Sequence, residues 1–149
     1  MPRQKVTTFL WFDTQAEEAA NFYVSMFKDS RVTHVTRRPT GAAFVVEFEL
    51  AGIQYIALNG GPMFKFTEAL SLSVDCADQA EIDELWEKLS AGGSDFNCGW
   101  LKDKYGLSWQ IVPSVLPKLM SDPTGRVMQA LMQMTKLDIQ KLQDAYDGK

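Results

Sequence analysis

One succession of short elements occurs twice in this chain, and that repeat limits its possible folds more than any single motif does. Residues 6–12 read as a strand. Thr14-Gln15-Ala16-Glu17 then has the spacing of a capping box, a hydroxyl acceptor followed three residues on by Glu. Ala16, Ala19, Ala20, Tyr23, Met26 and Phe27 follow at helical spacing, which predicts a helix from Thr14 to about Phe27. Residues 31–37 form a short strand, and Pro39-Thr40-Gly41 breaks the chain. Residues 42–50 alternate, with Phe44, Val46, Phe48 and Leu50 opposing Val45, Glu47 and Glu49. Ala51-Gly52 turns the chain back into 53–59. The second half begins the same way. Residues 69–75 are a strand, and Asp78-Gln79-Ala80-Glu81 repeats the start signal 64 residues after Gln15-Ala16-Glu17. Ile82, Leu85, Trp86 and Leu89 give the helical stripe, and Gly92-Gly93 ends it. A faint strand near Asp95-Phe96 and two more over 99–104 and 107–112 complete a second strand–helix–strand–strand–strand unit.

The last two strands are joined by Asp103-Lys104-Tyr105-Gly106. Asp103 opens a tight connection and Gly106 takes positive φ without steric cost. Alternation places Leu107, Trp109 and Ile111 on one face and Ser108, Gln110 and Val112 on the other. Such a strand suits a sheet with a helix behind it and a cavity in front, or a plain hairpin with a satisfied polar residue. Beyond Pro113, Asp122-Pro123 is expected to start a helix carrying Val127, Met128, Leu131 and Met134. Asp138 caps another, carrying Ile139, Leu142, Ala145 and Tyr146. A Met-rich stripe of this kind packs on the main domain or forms a dimer contact.

Composition bears on partners. With 46% apolar and 23% charged residues among 149, the chain is expected to be ordered. Its net charge of −4, without a basic run, argues against nucleic acid and anionic membrane as partners. No apolar run approaches the roughly 20 residues that a membrane helix needs. Met1-Pro2-Arg3-Gln4-Lys5 leads into no apolar h-region, so no signal peptide is expected. Cys76 and Cys98 form no motif and read as reduced thiols of a cytoplasmic protein.

Phe9-Leu10-Trp11-Phe12-Asp13, Ala16-Glu17-Glu18-Ala19, Asn21-Phe22-Tyr23, Ala57-Leu58-Asn59-Gly60-Gly61 and the run from Asp103 to Gln110 resemble the PhnB-like group. That group belongs to the glyoxalase / bleomycin-resistance / extradiol-dioxygenase (vicinal oxygen chelate) superfamily. Many members carry the label "3-demethylubiquinone-9 3-methyltransferase domain". The resemblance runs from about Val6 to Pro113. It implies an α+β fold of two paired βαβββ modules, a curled mixed sheet around a cavity, and a homodimer. The implied organisation is a glyoxalase-like domain over 1–117, with modules at about 6–61 and 66–113, and a helical extension over 118–149.

Superfamily enzymes hold a divalent metal through four strand positions. Here the resemblance places those positions near Thr7, Asn59 (or Ala57), Ala69 and Gln110. These residues offer at most neutral oxygens, whereas a divalent ion needs several imidazole, thiolate or carboxylate donors, so no metal and no other cofactor are expected. The lone His34 lies on a different strand. Glu47 and Glu49 project from the face opposite Val46 and Phe48. Gly60-Gly61-Pro62-Met63 ends a strand without opening a helix, so it does not resemble a site for S-adenosylmethionine. What remains is a pocket of Thr7, Phe9, Trp11, Tyr55, Ala57, Asn59, Ser71, Ser73 and Gln110, with Trp100 at the turn side and Phe64 and Phe66 on the connecting loop. An aromatic wall with a few amides and hydroxyls suits a flat, largely apolar small molecule, unless the rings only fill the module interface.

The expected function is a metal-free small-molecule-binding protein, with the ligand left open. The alternative is an enzyme of the same superfamily (lyase, dioxygenase or methyltransferase-labelled) acting on a small aromatic or quinone-like substrate. A third reading makes the cavity mere packing and the helical tail the working surface.

Overall fold

The computed structural model describes residues 4–149, which fall into two compact units, 4–65 and 66–149. The first unit runs β1 (Thr8–Phe12), α1 (Ala16–Val24), β2 (Arg31–Arg37), β3 (Ala43–Leu50) and β4 (Ile53–Asn59). Its mixed four-stranded sheet has the order β1-β4-β3-β2, with β1 parallel to β4 and the other pairs antiparallel. The second unit repeats the plan as β5 (Ser71–Cys76), α2 (Gln79–Ser90), β6 (Ser94–Asp95), β7 (Trp100–Lys102) and β8 (Ser108–Pro113). Its sheet has the matching order β5-β8-β7-β6. Three helices follow: α3 (Leu116–Leu119), α4 (Arg126–Met132) and α5 (Ile139–Asp147). The fold is α+β with duplicated βαβββ units, as expected from the repeat.

Each helix covers one face of its own sheet. In the first unit the buried set is Leu10, Phe12, Val46, Phe48, Leu50 and Ala57 from the strands, with Ala16, Ala19, Ala20 and Tyr23 from α1. The small alanines let α1 approach closely, and the Tyr23 and Phe48 rings meet at 6.4 Å. In the second unit Trp109, Ile111, Leu101 and Leu107 are buried with Ile82, Leu85, Trp86 and Leu89 of α2. Alternation along β8 is therefore read correctly from sequence: Trp109 belongs to the helix side and Gln110 to the open side.

The helix starts depart from the sequence reading in one unit and follow it in the other. At α2, Asp78 Oδ1 accepts from the Glu81 amide at 2.9 Å, and the Glu81 carboxylate accepts from the Ala77 amide at 3.0 Å. At α1 the expected Thr14 box does not form. The helix begins at Ala16, and its first amide donates to Asn59 Oδ1 at 2.8 Å. Glu17, free of the box, forms a two-point ion pair with Arg37. The helix ends at Val24 instead of Phe27, where the Ser25 hydroxyl donates to the Phe22 carbonyl and competes with the next turn.

The tail also begins differently. The expected start at Asp122-Pro123 is displaced to Arg126, because the Asp122 carboxylate folds a turn instead, accepting from the Thr124 and Val127 amides. Gly125 then enters α4 in the left-handed region. Asp138 caps α5 as expected, accepting from the Lys141 amide. Helix α3 had no sequence signal beyond Pro117. Leu119, Val127, Leu137 and Leu142 form a buried cluster of their own, leaving Met128 and Met132 exposed. Gln79 ties the tail to α2: its amide donates to the Leu137 carbonyl and accepts from the Ile139 amide.

Asn59→Ala is expected to destabilise the first unit by about 0.5–2 kcal/mol, the usual worth of a helix cap. Thr14→Ala should lie within about 0.5 kcal/mol of the parent, as surface changes do. Chemical denaturation of both variants checks the assignment of the cap.

Candidate functional site

The open face of the second sheet gathers most of the polar residues singled out in sequence. Strand pairing aligns Ser71 with Ser108, Ser73 with Gln110, Trp100 with Gln110 and Lys102 with Ser108. All of these side chains leave the sheet on the side opposite α2. Gln110 donates to Ser71 Oγ at 2.9 Å. Ser108, which the sequence placed on this face but not among the site residues, is 1% exposed, and its hydroxyl has no hydrogen-bond partner among the described residues. Lys102 pairs with Glu68, and its ammonium sits 5.7 Å from the centre of the Phe96 ring. The hydrogen bond from Lys102 holds the Glu68 carboxyl below its ordinary value. Phe66 is half-buried at the start of this unit, while Ala69 is exposed just ahead of β5.

The turn before β8 is fixed by a buried carboxylate. Asp103, 2% exposed, accepts from the amides of Tyr105 and Leu107 through one oxygen and from the Trp109 indole through the other, at 2.8, 3.1 and 2.9 Å. Gly106 takes φ +90°, as this tight connection requires. The carboxylate thus locks the indole on the helix side, and the pleat presents Ser108 and Gln110 on the other.

In the first unit the pairing separates residues that the sequence reading had put together. Leu10 pairs with Ala57, Thr8 with Tyr55 and Phe12 with Asn59, so Tyr55, Ala57 and Asn59 share the helix side. Phe9 and Trp11 share the open side with Ile56 and Leu58. The cause is a one-residue error in register for β4, which exchanges every side chain between faces. Tyr55 stacks on Phe48 at 5.6 Å, and burial pushes its phenol up. Asn59 spends its amide on the α1 cap and on the Ala43 carbonyl. The open side holds Phe9, 59% exposed, and Trp11, whose indole donates to the Gly61 carbonyl and meets Phe64 edge-on at 4.9 Å. A side chain on Gly60 would collide with that indole. Thr7 borders a hollow of about 50 Å3 shared with Thr33, Glu47 and Gln54. Glu47 and Glu49 also lie on the open side, and Glu49 pairs with Arg31. A cleft of about 790 Å3 opens around the start of α1, where Arg37 is already bound to Glu17 and Asn59 is one wall.

The donor set does not fit a divalent metal. With the register corrected, the open positions of β4 are Gln54, Ile56 and Leu58, of which only Gln54 carries an oxygen, a neutral one. Thr7 and Gln110 supply neutral oxygens only. Among the described residues, no three His, Cys, Asp or Glu side chains gather closely enough to hold an ion. Cys76 is buried and faces Glu81; burial first, then that carboxylate, push its thiol up to about 12. It stays protonated near neutrality and is a poor nucleophile. Gly60 to Met63 form a turn, and no helix lies between β4 and β5.

Tandem βαβββ units, each a mixed sheet backed by one helix, define the vicinal oxygen chelate class. The family model described as 3-demethylubiquinone-9 3-methyltransferase matches residues 4–112. The PhnB protein from Bacillus cereus is 36% identical, with a TM-score of 0.70 over 74% of this chain and 99% of that one. Protein PA1353 from Pseudomonas aeruginosa shares the fold at 15% identity, with a TM-score of 0.62 over 74% and 98% of the two chains. So does the fosfomycin resistance protein FosX from Mesorhizobium loti, at 11% identity and a TM-score of 0.57 over 81% and 99%. No curated protein matches the chain. The chain belongs to the PhnB-like 3-demethylubiquinone-9 3-methyltransferase family. Helices α3 to α5 lie beyond the part that the family model matches.

Two substitutions separate support from function. Asp103→Ala should cost roughly 2–4 kcal/mol, since it strands buried amide and indole donors. Ser108→Ala should instead gain up to about 1 kcal/mol, because it removes a desolvated hydroxyl. Denaturant midpoints measured without ligand test both signs.

Proposed function

We propose that the protein binds a small, flat organic molecule without a resident divalent metal, and that the ligand lies on the open face of the second sheet. The observation that carries this reading is the convergence of Ser71, Ser73, Trp100 and Gln110 on one face. Their donors are neutral. Such groups orient a ligand by hydrogen bonds and ring contact, and they lack the Lewis acidity that metal-dependent relatives would need. Phe9 and Trp11, on the open face of the first sheet, supply a second apolar surface suited to the same kind of molecule. The reading includes a homodimer and a cytoplasmic location. Among the described residues, no helix is long and apolar enough to cross a membrane.

Thermal-shift screening against aromatic metabolites and antibiotics tests the proposal. A ligand at 100 times its Kd should stabilise the protein by about 2.7 kcal/mol, which is roughly 5–10 °C for a chain of this size. Trp100→Ala and Gln110→Ala should abolish the shift, and Trp11→Ala reports on the first unit's face. Elemental analysis belongs beside it: more than about half an equivalent of Ni, Zn, Fe or Mn bound tightly through this donor set would contradict the reading.

A further inference from the structure

The open face of the second sheet carries a row of hydrogen-bond donors with too few acceptors to match. Ser71, Ser108 and Lys102 lie side by side on β5, β8 and β7. Gln110 gives one amide hydrogen to Ser71 Oγ, so the Ser71 hydroxyl proton and the second amide hydrogen remain for another partner. Ser108 has no partner although it is buried. Among the described residues of this face, Asp75 lies two places along β5 from Ser73, and the anion at the row itself is Glu68, held by the Lys102 ammonium. The two members of that pair differ in exposure. The Lys102 side chain is 28% exposed and stems from a strand, beside the Phe96 ring. The Glu68 side chain is 59% exposed, on a turn closed by the Leu70 amide on the Thr67 carbonyl and the Ala69 amide on the Thr67 hydroxyl, both at 3.3 Å. Glu68 is thus the more exposed member and comes from a turn, whereas Lys102 comes from a strand.

We propose that this row is a carboxylate subsite for a planar aromatic acid, and that Glu68 is an internal counter-ion which the incoming acid displaces. The inference rests on the reading above of this face as the binding surface. The ligand's carboxylate would accept from Lys102 Nζ and, once Glu68 has left, from the Ser108 hydroxyl, which is covered while the ion pair is closed. The ring would lie along Trp100. A single ammonium balances one negative charge, so a monocarboxylate fits better than a dianion, which would leave one charge uncompensated on a half-buried face. No covalent step is involved.

Calorimetric titration of the full chain with 2-naphthoate, and with 2-naphthamide as its uncharged counterpart, tests this at low ionic strength and neutral pH. The acid should bind about tenfold or more tightly than the amide. Lys102→Met should remove that preference, and Ser108→Ala should weaken the acid by about threefold to tenfold. Glu68→Gln, a change on an exposed turn, should tighten binding of the acid by about threefold or more and leave the amide unchanged, because a competitor has gone. Equal affinity for acid and amide, no binding of the acid, or an unchanged or weakened acid in Glu68→Gln would overturn the inference. If neither probe binds while Trp100→Ala and Gln110→Ala still abolish the shift by a ligand from the screen, the subsite fails and the binding reading stands. If Trp100→Ala and Gln110→Ala affect no ligand, the face itself is wrong.

Discussion

A buried carboxylate at the β7–β8 turn sets the side-chain pattern of the second sheet. Asp103 has almost no contact with water, and its carboxyl oxygens accept from donors that include two backbone amides and the Trp109 indole. These bonds do two jobs in one place. They close the turn, and they hold Trp109, the largest fully buried side chain among the described residues, against the helix side. Once Trp109 is fixed, a period of two leaves Ser108 and Gln110 no other face. The chemistry available on the open side therefore follows from a packing decision made on the opposite side.

The duplicated units share a topology but not the bonds that secure it. In both, an edge strand that pairs in parallel with its inner neighbour leads into a helix crossing one face. At α2 the cap is local and comes from Asp78. At α1 it comes from Asn59, 43 residues ahead in sequence and adjacent only because β4 pairs with β1. A cap supplied by another strand makes the helix start conditional on the sheet, so α1 and the β1–β4 pair should form together. The same bond commits the Asn59 amide oxygen to the helix start. Glu17, released from the cap, is free to join Arg37 of β2.

Element order was legible because alternation in β2, β3, β4 and β8 and the apolar stripes of both helices are strong local signals. The capping box at α2 was legible for the same reason: all of its partners lie within five residues. The signals that failed were the ones settled by distant partners. Thr14 carries the right residue at the right spacing, yet Asn59 outcompetes it. Asp122-Pro123 has a helix-start composition, yet the carboxylate is satisfied by a turn. The assignment of Tyr55 and Asn59 failed through register: neither flank of β4 fixes its phase against β1, and a shift of one residue reverses all seven positions. Ser108 could have been found. Its parity with Gln110 was plain, but a serine beside a tryptophan gives no sign from sequence that it will be buried without a partner.

The two open faces end up chemically unlike, and the difference bears on what a duplicated scaffold can do. Around β1 the first face offers rings and branched aliphatics from Phe9, Trp11, Ile56 and Leu58, with the carboxylates of β3 further across the sheet. The second offers hydroxyls, an amide and an ammonium paired with an exposed glutamate. A strong metal site would have required several anionic or imidazole donors to be kept together. Neutral donors carry no such requirement. Each face is free to diverge, one toward shape and apolar contact and the other toward hydrogen-bonding specificity. In a site of that kind specificity comes chiefly from the polar face, since a buried donor left unmatched penalises a wrong ligand more than an extra apolar contact rewards a right one.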